Sequence, residues 1–347
     1  MYKQKDDGAS DIIAFILILF IVVVAVAMWM LVIIPSQGTE AENDHNDKVL
    51  MEFADFKEGI DQLWLNNLAG YSNSHMISLA PSERTSLSTL MYLAPTLGSG
   101  SLKIEKGTKI TLYDTYRLRK NVDGKVTWST YPCDTDGENI NSDLSSGKKY
   151  EFYLLRITFT TDNVYAPNYT ILYEGGAVWY ADAEGNTYQL LSPVVDPEKS
   201  NKKNYYLIAT DVSNPGNVNT TLTLGNLPVV LTYTYLGKLK TTYSDYHVDG
   251  SGDVIVPRQR NYLEFYNPEV EEHTHDDDKG NDLRSDNEKA LDQDLKKYWE
   301  EYLNAAKAVS FDNSSPSDSN LGAFLSVLQY DVSLADDVSL EGLDAEE

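Results

Sequence analysis

The chain has a single cysteine, Cys133, in 347 residues. No intrachain disulfide can form, so this is not a disulfide-stapled secreted module. Basic residues are scarce as well: 28 Lys and Arg stand against 53 Asp and Glu, a formal net charge of −25. Such a surface repels phosphate, which argues against nucleic acid as a partner and makes anionic lipid a poor one. Catalytic signatures are missing too. Gly175-Gly176 lacks the spacing of a phosphate loop and reads as a turn or bulge between strands; there is no Gly-x-Ser-x-Gly elbow and no His pair at zinc spacing on a helix. Cys133 has no second Cys or neighbouring His and reads as a structural thiol. Asp134-Thr-Asp136-Gly137-Glu-Asn139 has part of a calcium-loop pattern, but Pro132 stands where the first ligand belongs, so a hydrated turn is the reading. His273 and His275 beside Asp276, Asp277 and Asp278 have no fixed scaffold, and no carboxylate pair is singled out for glycoside chemistry. The chain therefore reads as a non-enzyme, with no catalytic residue, no metal site and no cofactor assigned.

What the sequence does have begins at once. From Ile12 to Ile34 it reads IIAFILILFIVVVAVAMWMLVII, without one charge. As an α-helix this run covers about 34 Å at ~1.5 Å per residue, and a bilayer core about 30 Å thick needs about 20 apolar residues. Residues 9–35 are thus expected to be a transmembrane helix. Lys3 and Lys5 precede it, whereas Glu40, Glu42, Asp44 and Asp47 follow, so the positive-inside rule puts the N-terminus in the cytoplasm and the rest outside. A secretory signal peptide would carry small residues after its apolar run. Here that place holds Trp29, Met30 and Ile33-Ile34-Pro35, and the small residues stand in front.

The leader Met1-Tyr-Lys-Gln-Lys-Asp-Asp-Gly8 followed by Ala9-Ser10-Asp11-Ile-Ile resembles the class III signal of prepilins and archaellins, in particular the N-termini of archaeal type IV pilin-like proteins. The resemblance implies a prepilin peptidase that cuts on the cytoplasmic side between Gly8 and Ala9, removing 1–8 and leaving the apolar helix on the mature chain. It also implies self-association, or association with other pilin-like subunits, through that helix. Asp11 would lie close to the new terminal amine and help neutralise it, or a neighbour's, in a helical bundle. The order of helix, β-rich region with Tyr173-Glu-Gly-Gly-Ala-Val178, and acidic C-terminal part is similar to uncharacterised archaeal pilin-like proteins.

A second helical pattern occupies 36–70. Val49, Phe53, Phe56, Ile60, Leu63, Trp64 and Leu68 keep steps of three and four and predict one buried face. Glu52, Asp55, Lys57 and Glu58 are expected to face water, and Pro35–Gly38 to bend or break the helix. From 71 to 268 short runs rich in Val, Ile, Tyr and Thr alternate with turn residues, and Val122-Asp123-Gly124-Lys125 has the form of a two-residue hairpin. Strand spacing without intervening helices predicts an antiparallel, sandwich-like domain. Residues 269–284, opening with EVEEHTHDDD, read as a mobile acidic linker. Within 285–347, Ser285-Asp-Asn-Glu288 has capping-box spacing and opens a helix with Leu291, Leu295, Tyr298, Tyr302 and Ala306 on one face. Ala323–Leu334 reads as a final strand, followed by an acidic tail.

Tyrosine is in excess, 24 against 9 Phe, which suits a half-wet sheet face first and protein or glycan contacts second. Asn168, Asn219 and Asn313 fit the glycosylation pattern. The expected fold class is α+β: a long N-terminal helix, a β-rich extracellular domain and one late helix. The leading functional expectation is a cell-surface, structural or adhesive type IV pilin-like subunit whose partners are the membrane, the prepilin peptidase and its own kind. The alternative is a permanently anchored single-pass protein whose outer domain binds a ligand or an envelope partner.

Overall fold

In a computed structural model, the described residues are 7–81, 97–122, 125–132, 149–197, 203–210, 221–225, 227–249, 252–260, 265–272, 282, 284–308 and 324–334. The fold is α+β: a long apolar N-terminal helix, a curled β-sheet and a late helix.

Helix α1 (Asp7–Met28) passes through a π-helical turn, Trp29–Ile33, into α2 (Ile34–Leu65). The Ile34 N–H reaches back five residues to the Trp29 carbonyl. Pro35 has no N–H to give and its ring crowds the carbonyl four residues earlier, and the wide turn directly ahead of it relieves that conflict. The helix therefore continues through Pro35–Gly38, so that of the expected bend or break the break does not occur. The side chains from Ile12 to Ala27 are all exposed, while Val49, Phe53, Phe56 and Ile60 are fully buried.

Among the described residues the sheet has 15 strands, with a longest path β1-β11-β15-β9-β4-β2-β12-β13. These are β1 (Ser72–Ile77), β2 (Ser99–Val122), β3 (Lys125–Pro132), β4 (Lys149–Asp162), β5 (Thr170–Glu174), β6 (Ala177–Ala181), β7 (Thr187–Leu191), β8 (Val195–Pro197), β9 (Lys203–Ala209), β10 (Thr221–Gly225), β11 (Val229–Lys238), β12 (Thr241–Asp249), β13 (Gly252–Arg260), β14 (Phe265–Glu271) and β15 (Phe324–Leu334). Most pairs are antiparallel, but β15 with β9 and β12 with β2 are parallel. The final strand enters the middle of the sheet, between β11 and β9. Val122 pairs with Lys125, as the Asp-Gly spacing predicts.

Alternation along the central strands divides the core in two. On β4, Leu155, Ile157 and Phe159 join α2, whereas Phe152 and Leu154 join helix α3 (Asp286–Ala308). On β9, Tyr206 and Ile208 face α2 while Tyr205 and Leu207 face α3. Among the described residues, the central strands are thus covered by α2 on one face and α3 on the other. Phe56 of α2 makes edge contacts with Tyr173 of β5 (centroids 5.2 Å apart) and Tyr233 of β11 (5.1 Å), so the curl closes around this helix from two sides. The Tyr330 hydroxyl donates to the Ile60 carbonyl at 2.7 Å, tying β15 to α2.

Several expectations change at this level. Lys57 is buried and ion-paired with Asp61, and Glu52 accepts the Ser78 N–H and hydroxyl at 2.8 Å each, so neither simply faces water. Ser72–Ile77, soon after the end of α2, forms an edge strand against β11. Glu269–Glu271 of the acidic run are strand, and Arg284, read as the end of a mobile linker, is buried. Residues 273–278 of that run, with His273 and His275, lie outside the described residues, as do Cys133 and residues 134–139.

Candidate functional site: a helix clasp and an arginine-floored cavity

Two constellations join parts of the chain that are distant in sequence. The first lies where α2 leaves the apolar run. Glu42 is buried and accepts four backbone N–H groups: Gly98 and Val164 on Oε1 at 2.9 Å each, Tyr165 and Ala166 on Oε2 at 2.8 and 2.7 Å. Burial pushes its pKa up, but these four donors outweigh that and hold it below the usual value of 4.5. One turn earlier Gly38 lies under Tyr165, and a Cβ there would stand 2.2 Å from the ring. The loop 163–168 is therefore clasped to the first turns of α2.

The second constellation runs across the sheet on the α3 face. Glu105, Arg156 and Glu174 sit opposite one another on β2, β4 and β5. Glu174 is wholly buried and takes hydrogen bonds from Arg156 Nε, from the Thr108 hydroxyl at 2.7 Å and from the Trp299 indole at 2.7 Å. Arg156 Nη1 donates to Asp292 Oδ1 at 2.7 Å, and Arg284 Nη1 to Asp292 Oδ2 at 2.8 Å. Arg284 also reaches Asp282 and Glu272. Two guanidinium groups thus meet four carboxylates. Burial lowers the Arg156 pKa, but Glu174 and Asp292 more than reverse this and raise it. Asp282 is held far below the carboxylate range by its hydrogen bonds from Arg284.

The turn that places Glu174 is Gly175-Gly176, with φ of +61° and +102°, between β5 and β6. Both residues need the left-handed region, and a Cβ on Gly175 would stand 2.7 Å from the Trp299 ring. The reading of this pair as a turn is borne out. At the start of α3 the capping box forms as its spacing predicts: the Ser285 N–H and hydroxyl donate to Glu288, and the Glu288 N–H returns to the Ser285 hydroxyl at 3.3 Å.

Where α3 begins, the sheet face it would cover turns hydroxylic. Thr158 and Thr160 of β4 and Thr170 of β5, together with the buried Arg156, line a cavity of about 520 Å³. One wall is the first turn of α3 with Asn287 and Leu291, and the other is the β6–β7 turn with Asp182 and Gly185. Among the described residues, no group of three or more His, Cys, Asp or Glu side chains could hold a metal ion.

The residues singled out by sequence stand apart from this cavity, with one exception. Gly8, Ala9 and Asp11 lie in the opening turns of α1. Asn168 is exposed at the cavity's mouth, where its Oδ1 accepts the Asn163 N–H; Asn219 and Asn313 lie outside the described residues. Sequence reasoning missed Glu42, for which no local pattern speaks. It also missed Arg156, although a signal existed: Arg156 is the only charge within the run FYLLRITF, and a charge in a strand covered on both faces must be paired. Comparisons with family models, with curated proteins and with solved structures give no match.

Proposed function

We propose that this chain is a cell-surface type IV pilin-like subunit, held in the membrane or in a filament by α1, with its β-rich head outside and its N-terminus cytoplasmic. The observation that carries the reading is the division of one continuous helix. Its first part is long and apolar enough to cross a membrane and, among the described residues, is covered by nothing, while its second part is buried in the core of the head. Uncovered apolar surface on this scale calls for lipid or for other such helices. Gly38 and Glu42 follow Ile34 by only about 6 and 12 Å along the axis at ~1.5 Å per residue. The clasp therefore seats the head close against whatever surrounds α1. On this reading the head keeps a sandwich-like character through the two parts of the sheet that meet Phe56 from opposite sides.

The role is assembly or adhesion rather than catalysis. Around the cavity the carboxylates are already engaged as acceptors: Asp292 by two arginines, Glu288 by its cap, Glu105 by Lys103 and Asp182 by its turn. A hydrolase would need one of them free to move a proton.

Leader processing is the test. Intact mass and N-terminal sequencing of the protein from its native membrane should give Ala9 as the first residue. Gly8→Leu should leave the protein inserted and uncut, because the peptidase needs a small residue at the bond it opens. A native N-terminus at Met1 would overturn the pilin-like reading in favour of a permanent single-pass anchor. A start beyond Pro35 would mean a freely secreted domain.

A further inference from the structure

No residue of α1 or α2 lines the cavity at the start of α3, and its chemistry is specific. Arg156 is 4% exposed and lines the cavity, yet among the described residues its Nη2 has no hydrogen-bond partner. Its other two nitrogens are fixed by Glu174 and Asp292, so the guanidinium cannot turn to satisfy the third. A buried N–H left without an acceptor costs roughly 1–3 kcal/mol. A ligand atom offering a lone pair at that point removes the cost.

The ligand class follows from what is spent and what is left. The carboxylates of the cavity are used internally, so a cation finds no free anchor. A carboxylate or phosphate ligand would meet the excess of acidic groups around the two arginines and the net charge of −25. What remains is one fixed guanidinium N–H, the spare capacity of threonine hydroxyls held only by long bonds (Thr158 to Glu105 at 3.5 Å, Thr160 with Thr170 at 3.4 Å) and the amide of Asn287, on a lining that also holds Leu172. Hydroxyls both give and accept hydrogen bonds, and a cavity of about 520 Å³ lies in the range of small-molecule sites, roughly 300–1,000 Å³. We propose that this cavity is a binding site for a neutral saccharide of one or two rings, with a ring hydroxyl accepting from Arg156 Nη2. The inference does not depend on leader cleavage, since an anchored subunit and a permanently anchored receptor would use the same site.

The test uses the full chain in a detergent without a sugar headgroup. Saturation-transfer NMR and calorimetry would be run against a panel of neutral mono- and disaccharides, with glucuronate and citrate as anionic probes. At least one neutral sugar should bind, more tightly than either anion. Ala183, exposed on the rim, allows a plug that touches no buried contact: Ala183→Trp should weaken binding by about tenfold or more while the melting temperature stays put. Arg156→Lys removes Nη2 and should abolish binding; because it also disturbs the buried network, its fold is checked by circular dichroism, and Ala183→Trp decides if it unfolds. No binding by any neutral sugar, tighter binding by an anion, or binding indifferent to Ala183→Trp would each overturn the proposal.

Discussion

Glu42 accepts the backbone N–H of Ala166 at 2.7 Å across 124 residues of chain. With Tyr165, Val164 and Gly98 completing the set, one carboxylate fixes two loops to α2. Glu42→Gln keeps the shape but turns an NH2 toward two of the donors. We expect a loss of about 2–4 kcal/mol, since buried donors would be left unmade. Asp55→Asn, on an exposed position of the same helix, should change stability by less than about 0.5 kcal/mol. Chemical denaturation of the two variants makes the comparison.

The same site has a pH signature. Because the folded-state pKa of Glu42 lies below its ordinary 4.5, its contribution is fully present above that value and is lost as pH falls through the folded pKa. The stability gap between wild type and Glu42→Gln should therefore be constant near neutrality and shrink below pH 4.5. A gap that widens toward acid would mean that the carboxylate is not the acceptor.

Phe56 touches both Tyr173 and Tyr233, so its ring is shared by two parts of the sheet. Phe56→Ala should cost about 3–5 kcal/mol in a thermal or chemical melt. Lys57, next to it, is not a silent control. It is buried against Asp61, which also accepts the Trp64 indole N–H at 3.1 Å, and Lys57→Ala should cost about 1–3 kcal/mol. Equal and small effects at both positions would detach α2 from the head.

How far the sequence could be read depended on whether the signal was local. The apolar run, the 3–4 spacing from Val49 to Trp64, the Ser285–Glu288 box and the turn at Gly175 each rest on neighbours in sequence, and each formed. Where short strands were expected, β2 is one long strand, because the bulge between Lys106 and Lys109 absorbs Gly107 without ending the pairing with β4. The cavity was illegible for a different reason. Arg156, Glu174, Asp292 and Arg284 have partners fixed only by strand order and by the docking of α3, which no periodicity encodes. Lys57 was misjudged because its burial follows from the docking of α2, which the spacing of apolar residues does not encode, although its partner Asp61 stands only one turn away.

Gly175 and Gly70 allow the steric and conformational costs of a side chain to be separated. Both have positive φ, +61° and +85°, but Gly70 has nothing within 4 Å of its would-be Cβ, whereas Gly175 faces the Trp299 ring at 2.7 Å. Gly70→Ala should cost about 1–2 kcal/mol from backbone conformation alone. Gly175→Ala adds the clash and should cost about 2 kcal/mol more, in the range of overpacked cores. Pairing it with Trp299→Phe tests the mechanism. That single change removes the indole donor to Glu174 and should itself cost about 1–3 kcal/mol. Because the smaller ring no longer fills the space over the turn, the double variant should be less destabilised than the sum of the two. Strict additivity in urea denaturation would show that the ring is not what keeps a side chain out of this turn.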